Sequence, residues 1–256
     1  MRRRGKAEVE IRNILSEVII FSLRSPEKSS LLYLIFKFCR LAKEKVNCRM
    51  KLTDLLEQEV DRSQFIGKEV VDKLSSLSIF EIDSDNYIQI KSRFKSHFSY
   101  ICHKAGRYWS FISGLYPEGE TLKDGIEDEI KKGVLLFNEG FYFECHEFLE
   151  EAWKKRDKGK EKSFIKGLIH AAVAFYHLEY KNYKGAVNYL QRSYARLREF
   201  EPVFLGVDVK TFLADMEGYL EFFEKVDSFG LEYLKRLIPK IRLTNLNLLD
   251  SSKGSI

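Results

Sequence analysis

Apolar residues recur at three- and four-residue intervals along most of the chain, the spacing that lines one face of an α-helix. Ile11, Ile14, Leu15, Val18 and Ile19 fall in register and predict a helix over 7–24, which Pro26 ends. Further helices are predicted over 26–45, 53–59 and 63–77, the last carrying Phe65, Ile66, Val70, Val71 and Leu74. The period then falls to two: 78–82 and 87–90 alternate around Asp83-Ser84-Asp85-Asn86, a β-hairpin signal. Helical spacing returns over 92–115 through Phe94, Phe98, Ile101, Tyr108 and Phe111. The turn Tyr116-Pro117-Glu118-Gly119 and the polar residues to Gly125 read as a linker, and the stretch after Ile241 has no periodicity and reads as a frayed tail. The chain is thus expected to be mainly α, with domains over 1–115 and 126–240, a linker over 116–125 and a flexible tail over 241–256.

Helix, short helix, helix and hairpin over 27–91 resemble a winged helix in order and length. In such a domain the third helix enters the major groove of duplex DNA, where side chains must meet phosphates and base edges. That role falls to Arg62, Gln64, Lys68 and Lys73, offset by Asp61, Glu69 and Asp72, so the helix supplies little net phosphate affinity. Double-stranded DNA is one expected partner of this domain, and packing against a protein is the other.

Past the linker the sequence repeats. Laying 140–153 over 181–194 matches Tyr142 to Tyr183, Cys145 to Ala186, Phe148 to Tyr189, Leu149 to Leu190, Glu150 to Gln191, Ala152 to Ser193 and Trp153 to Tyr194. Each copy reads as the second helix of an antiparallel pair, with first helices over 123–138 and 161–180 and turns at Glu139-Gly140 and Lys181-Asn182. This resembles a tetratricopeptide-type helical-hairpin bundle. Such a scaffold also suits a protein partner or a second copy of the chain.

Composition narrows the picture in two ways. With 45% hydrophobic and 14% aromatic residues there is ample material for a core, and no apolar run reaches the ~18 residues a membrane-spanning helix needs. A cytoplasmic protein with no membrane partner is expected. Cys39, Cys48, Cys102 and Cys145 lie far apart without CxxC spacing, which favours free thiols in a reducing compartment over disulfides or a zinc knuckle. The net charge is +5 and the excess sits in residues 1–100, a mild bias towards an anionic partner.

The chemistry concentrates in 137–153. On the helix there, Phe141, Cys145, Phe148, Leu149 and Ala152 share one face, and Glu144, Glu147, Glu151, Lys154 and Lys155 the opposite one. His146, Glu150 and Trp153 belong to neither set and project beside the apolar face with Tyr142 and Phe143. The repeat shows what packing alone asks: Val187 stands where the first copy has His146. A polar residue at such a seam needs a partner or a use. The helix over 161–180 offers Lys166, His170 and His177 on one narrow stripe with Ser163; an antiparallel turn near Lys158 brings His170 level with His146 and Lys166 level with Glu150. His177 then sits about two turns from His146.

FNEGFYFECHEFLEEAW, followed by GLIHAAVAFYH and NYKGA, is similar to the bacterial and archaeal domain of unknown function 309. That family is described by a His, three residues, Glu, two residues and Trp or Tyr, here His146, Glu150 and Trp153, and the match includes Gly140, Phe143, Glu144, Gly185 and Ala186 over about 125–200. The resemblance implies an all-helical fold and a suggested metal role for the motif; it implies no reaction.

Three readings of the motif follow. His146 and Glu150, one turn apart, are the candidate ligands of a divalent metal ion or the candidate acid and base of an enzyme. Tyr142, Phe143, His146, Glu150, Trp153, Lys166, His170 and His177 are the candidate lining of a ligand pocket. The same groups also suit a satisfied structural network. There is no HExxH motif, no Gly-rich phosphate loop and no GxSxG elbow, so no established enzyme class is supported. The expected function is that of a DNA-associated regulator or adaptor whose helical domain senses a ligand or metal, against a metal-dependent or acid–base enzyme, or a protein-binding scaffold.

Overall fold

A computed structural model describes residues 5–25, 29–43, 49–56, 68–115, 125–225 and 238–244. Among them the chain is mainly helical, as its periodicity predicts. It divides into two compact units, Arg3–Thr121 and Leu122–Ile256 with Met1–Arg2. Arg62, Gln64, Cys48, the linker up to residue 124 and the tail beyond Thr244 lie outside the described residues, and of Lys68 only the backbone is described.

In the first unit, α1 (Lys6–Arg24) buries Ile11, Leu15, Ile19 and Leu23 completely, one every four residues. Next, α2 (Ser30–Ala42) is apolar around most of its circumference and buries Leu32, Leu34, Ile35 and Phe38 completely. A helix of that kind has to be surrounded. It packs against α1, α3 (Leu52–Leu56), α4 (Lys68–Ser76) and α5 (Phe98–Leu115).

Between these helices lies a small antiparallel sheet of β1 (Arg49–Lys51), β2 (Phe80–Ile82) and β3 (Tyr87–Ile90), with β3 in the middle. Met50 faces Ile88 across one pair and Phe80 faces Ile90 across the other, and all four side chains are buried. The predicted hairpin forms because Asp83 holds its turn. Its carboxylate accepts from the backbone N–H groups of Asp85 and Tyr87, both at 3.0 Å, and from the Arg49 guanidinium at 2.6 Å. Those bonds hold the Asp83 carboxyl below its ordinary pKa, the Tyr87 backbone bond contributing most. Strand β1 is too short to leave a periodic signal in the sequence. The 92–115 segment opens with a 3-10 turn over Ser92–His97 before α5 begins.

The second unit contains two consecutive helical hairpins, α6 (Ile126–Asn138) with α7 (Tyr142–Lys154) and α8 (Lys160–Glu179) with α9 (Tyr183–Leu197). The turns reverse through Gly140 at φ +76 and Lys181 at φ +57, which occupy matching positions in the repeat. Glycine adopts that left-handed backbone freely, whereas lysine does so at a cost of about 1 kcal/mol. Asn182 compensates by capping α9, its side chain accepting from the Gly185 N–H at 3.2 Å.

Each hairpin closes on a glycine of its first helix. A Cβ on Gly133 would meet Leu149 Cδ2 at 2.5 Å, and one on Gly167 would meet Leu197 Cδ2 at the same distance. In each case a small side chain one turn before the leucine donates to the glycine carbonyl: Cys145 Sγ to Gly133 O at 3.2 Å, and Ser193 Oγ to Gly167 O at 2.8 Å. The second closure lies about two helical turns further from its turn than the first. Cys145, read from the sequence as a free thiol, is buried, and burial pushes its pKa well up.

Two expectations are corrected here. Glu144, assigned to the solvated face of α7, is 1% exposed, because α7 is covered on that side as well as on its apolar face. The tail does not begin to fray at Ile241. Asn138, at the end of α6, both accepts from the Ile241 N–H and donates to its carbonyl at 2.9 Å, and Leu243 bridges Val207.

That bridge lands on elements the sequence pattern left unassigned. A two-stranded hairpin, β4 (Val203–Phe204) and β5 (Val207–Asp208), turns through Leu205 and Gly206 at positive φ. It leads into α10 (Val209–Lys225), whose start is capped by Asp208 accepting from the Thr211 N–H at 3.0 Å and its hydroxyl at 2.6 Å. No helix among the described residues is long and apolar enough to cross a membrane.

Candidate functional site

The helix α7 presents Phe143, His146, Glu150 and Trp153 along one half-buried stripe, set by steps of three and four residues. The side chains of His146 and Glu150 are 26% and 31% exposed. Both find partners on their own helix. His146 Nδ1 lies 3.1 Å from Glu147 Oε1, and Glu150 accepts from Lys154 Nζ at 3.1 Å. Glu150 therefore satisfies its charge by the ordinary i,i+4 pairing of a helix surface.

The neighbouring helix α8 meets this stripe at its two ends. The Phe143 ring lies 5.6 Å from Tyr176, while Trp153 carries Lys162 at 4.2 Å and Lys166 at 4.7 Å over its ring. Two ammonium groups on one indole make a cation–π site at the end of the motif. Tyr142 turns inward instead, 5% exposed, with its ring 5.3 Å from Phe137 and 5.7 Å from Phe175.

The expected cross-helix pairs do not form. Lys166 reaches Trp153 rather than Glu150, and His170 is turned away from α7 towards α9, its ring 5.6 Å from Tyr189 in an edge-on contact. The antiparallel register was legible, but the rotation of α8 about its own axis was not. His177 follows His170 on the same side, stacks on Tyr189 at 5.5 Å and takes a 2.9 Å hydrogen bond between its Nδ1 and Asn182 Nδ2. Tyr189 is thus shared by two histidines one above the other.

Burial holds both rings towards their neutral forms. The pKa of His177 is lowered by burial alone. That of His170 falls to about 4, through burial first and then through the charges of Lys166, Arg196 and Arg192. The Nδ1 atom of His170 is sealed from solvent without a hydrogen-bond partner.

These positions decide how well a metal would fit. His146 and Glu150 are two donors, each with a neighbour of its own, and the other histidines of the unit face α9. Among the described residues no group of three or more His, Cys, Asp or Glu side chains could hold a metal ion. A divalent cation needs more protein donors than this arrangement supplies, or several waters. The described residues do not fit a resident metal.

The motif-centred reading missed three things. Arg192 and Arg196 of α9 stand beside His170; the signal was their spacing of one turn on the second copy of the repeat. Arg156, in the turn between α7 and α8, reaches back to Glu129 at 2.7 Å, where Lys155 also lies at 3.1 Å. Finally, no carboxylate occurs between Asp85 and Glu118, a stretch that holds Lys91, Arg93, Lys95, Lys104 and Arg107.

Comparison with known proteins bears on the second unit. Residues 130–189 match the family described as Domain of unknown function (DUF309). An uncharacterized protein of Bacillus subtilis (strain 168), YpuF, is 39% identical over 90 residues, covering 34% of this chain and 52% of that protein. An uncharacterized protein of Aquifex aeolicus (strain VF5) is 22% identical over 181 residues, covering 68% of this chain and 53% of that protein. The chain spans about half the length of these curated relatives. Neither relative's name assigns an activity.

Proposed function

We propose that this protein is a DNA-associated adaptor, its first unit docking on duplex DNA and its helical hairpins carrying a polar ligand-binding face. The observation that carries the reading is the order α2, β1, α3, α4, β2, β3 with β3 paired between β1 and β2. That order and pairing support a winged-helix reading, under which α4 would be the groove-reading helix. The charge pattern supports it from a different side. Lys73 of α4 pairs with Glu69 at 2.9 Å, and the hairpin tip is acidic, so neither supplies much phosphate affinity. The carboxylate-free stretch that follows β3 does: Lys91, Arg93 and Lys95 lie at the surface of the 3-10 turn and its approach. Of these Arg93 is paired with Glu10 at 2.7 Å, which leaves Lys91 and Lys95 to meet phosphates.

Anisotropy of a fluorescent random-sequence duplex, titrated with the full chain between low and physiological salt, tests this. Binding should weaken with salt with a log–log slope of about −2 to −4, the signature of a few phosphate contacts. The Lys91→Gln, Lys95→Gln double variant should weaken binding and reduce the slope by about 2. Absence of binding at low salt, or binding with no salt slope, overturns the reading.

A further inference from the structure

In the first unit, Tyr33 and Phe36 of α2 meet Trp109 of α5 at the surface. The indole lies 4.9 Å from the Tyr33 ring, tilted by 52°, and stacks on Phe36 at 6.1 Å with 19° between the planes. All three side chains are only half-buried, while Leu32, Leu34, Ile35 and Phe38 fill the core beneath them. A contiguous cluster of partly exposed rings, unlike a single one, marks a surface that something else covers. Gly106, one turn before Trp109 on α5, opens the cluster further. A Cβ there would meet nothing within 4 Å, so the backbone beside the indole is accessible to a side chain from outside.

Charge continues the same stripe. Arg40 and Lys43 follow Phe36 by one and two turns on α2. Both are exposed, and among the described residues neither takes part in an ion pair or a hydrogen bond. Neither α2 nor α5 contains an Asp or Glu, so the face offers a second copy of itself no carboxylate to pair with. Its complement carries apolar anchors and negative charge together. A single strand of nucleic acid brings the charge, but its bases stack on open ring faces, and here the indole already stacks on Phe36. An anionic membrane calls for rings that protrude, and these lean on one another half-buried. A protein segment meets both demands.

We propose that the α2–α5 face binds an acidic amphipathic segment of a protein partner. An apolar side chain of that segment packs beside Trp109 against the open backbone at Gly106, and its carboxylates, one and two helical turns along, meet Arg40 and Lys43. Such a partner goes beyond the DNA reading and does not depend on it, because Lys91 and Lys95 take no part in its binding.

Selection of a displayed library of random peptides, each of about fourteen residues or four helical turns, on the full chain tests this. Peptides enriched on the unaltered protein should carry leucine or aromatic anchors and a net negative charge. Their binding, measured with the synthetic peptides, should weaken at least about tenfold in Trp109→Ala. Circular dichroism checks the fold of that variant, and a second one leaves the packing alone: Arg40→Glu with Lys43→Glu, both at exposed positions. The double variant should weaken the selected peptides at least about tenfold, and a fresh selection on it should lose the acidic preference. Failure to enrich any peptide, enrichment without an acidic bias, or peptides that bind the double variant as well as the unaltered chain overturns the proposal. So does tighter binding of anionic vesicles or of a single-stranded oligonucleotide than of any selected peptide, where that binding depends on Trp109 and Arg40. The duplex titration reads Lys91 and Lys95, so either result can fail alone.

Discussion

A Cβ built on Gly167 would sit 2.5 Å from Leu197 Cδ2 and 2.7 Å from its Cγ. Leu197 is fully buried and cannot simply swing its tip aside, so the glycine sets how closely α8 and α9 approach along the histidine side of the fold. Two effects oppose each other in Gly167→Ala. Alanine favours a helix interior by about 1 kcal/mol, while overpacking a filled site costs about 1–3 kcal/mol. Because Gly167 O also accepts from Ser193 at this contact, separation of the helices strains that bond too. The expected net result is destabilisation by about 1 kcal/mol, read as a drop of a few degrees in Tm. A Tm at or above that of the parent would show the helices relax at no cost. Gly133→Ala should behave alike, since Leu149 and Cys145 repeat the arrangement.

The two lysines on Trp153 make a test of sign. Each attracts the indole face, and each repels the other. Removing one loses an attraction and relieves the repulsion, so Lys162→Met and Lys166→Met should each cost less than about 1 kcal/mol. Removing both loses two attractions but relieves the repulsion only once. The double variant should therefore cost more than the sum of the singles in chemical denaturation. Strict additivity would mean that the ammonium groups do not share the ring in solution.

Among the described residues, cysteine labelling separates two buried thiols from a partly exposed one. Cys39 and Cys145 are buried, whereas Cys102 is partly exposed, and burial raises the Cys145 pKa far from neutrality. With a thiol reagent at neutral pH under native conditions, Cys102 should be modified well before Cys145, as read by mass spectrometry of peptides. Rapid native modification of Cys145 would place it on an accessible surface and sink the packing described for α7.

How much of this was legible depends on what leaves a periodic trace. The hairpins of the second unit were, because α6 to α9 are long, their apolar spacing is regular, and Gly140 and Lys181-Asn182 punctuate them. The direction in which a half-buried side chain points was not. His170 sits on the stripe the periodicity assigns to it, but that stripe turns to α9 because Gly167 and Ala174 on the same side admit a close neighbour, a rotation that needs the partner helix to define it. Glu144 failed for the opposite reason. A charged residue at a polar-face position reads as solvated, and only the covering elements make it buried. Strands β1, β4 and β5 are two or three residues long, too short for alternation to register.

Among the groups whose folded pKa is depressed, Glu129 and His170 contribute components of the same sign to the pH dependence of stability. Glu129 loses from burial but gains more from Arg156 and Lys155, so its folded pKa lies below the unfolded value. Its contribution is present above the unfolded pKa of a carboxylate and is lost as pH falls through the folded one. His170, with a folded pKa of about 4 against an ordinary 6.5, behaves alike in sign, since the unfolded chain binds its proton first. Stability from His170 is therefore complete above pH 6.5 and declines as pH falls from 6.5 to 4, before the Glu129 window is reached. Because the ring is only half buried, solvent screening reduces the effect to about 1–2 kcal/mol. After burial, the charges of Lys166, Arg196 and Arg192 also disfavour the imidazolium. His170→Gln should make the stability profile shallower between pH 6.5 and 4, His177 keeping part of the slope, and leave the steeper acid limb in place, whereas Glu129→Gln should soften the acid limb and leave the upper window unchanged. Urea denaturation across that pH range reads both. An NMR titration that places the His170 imidazole at its ordinary 6.5 would remove the upper component.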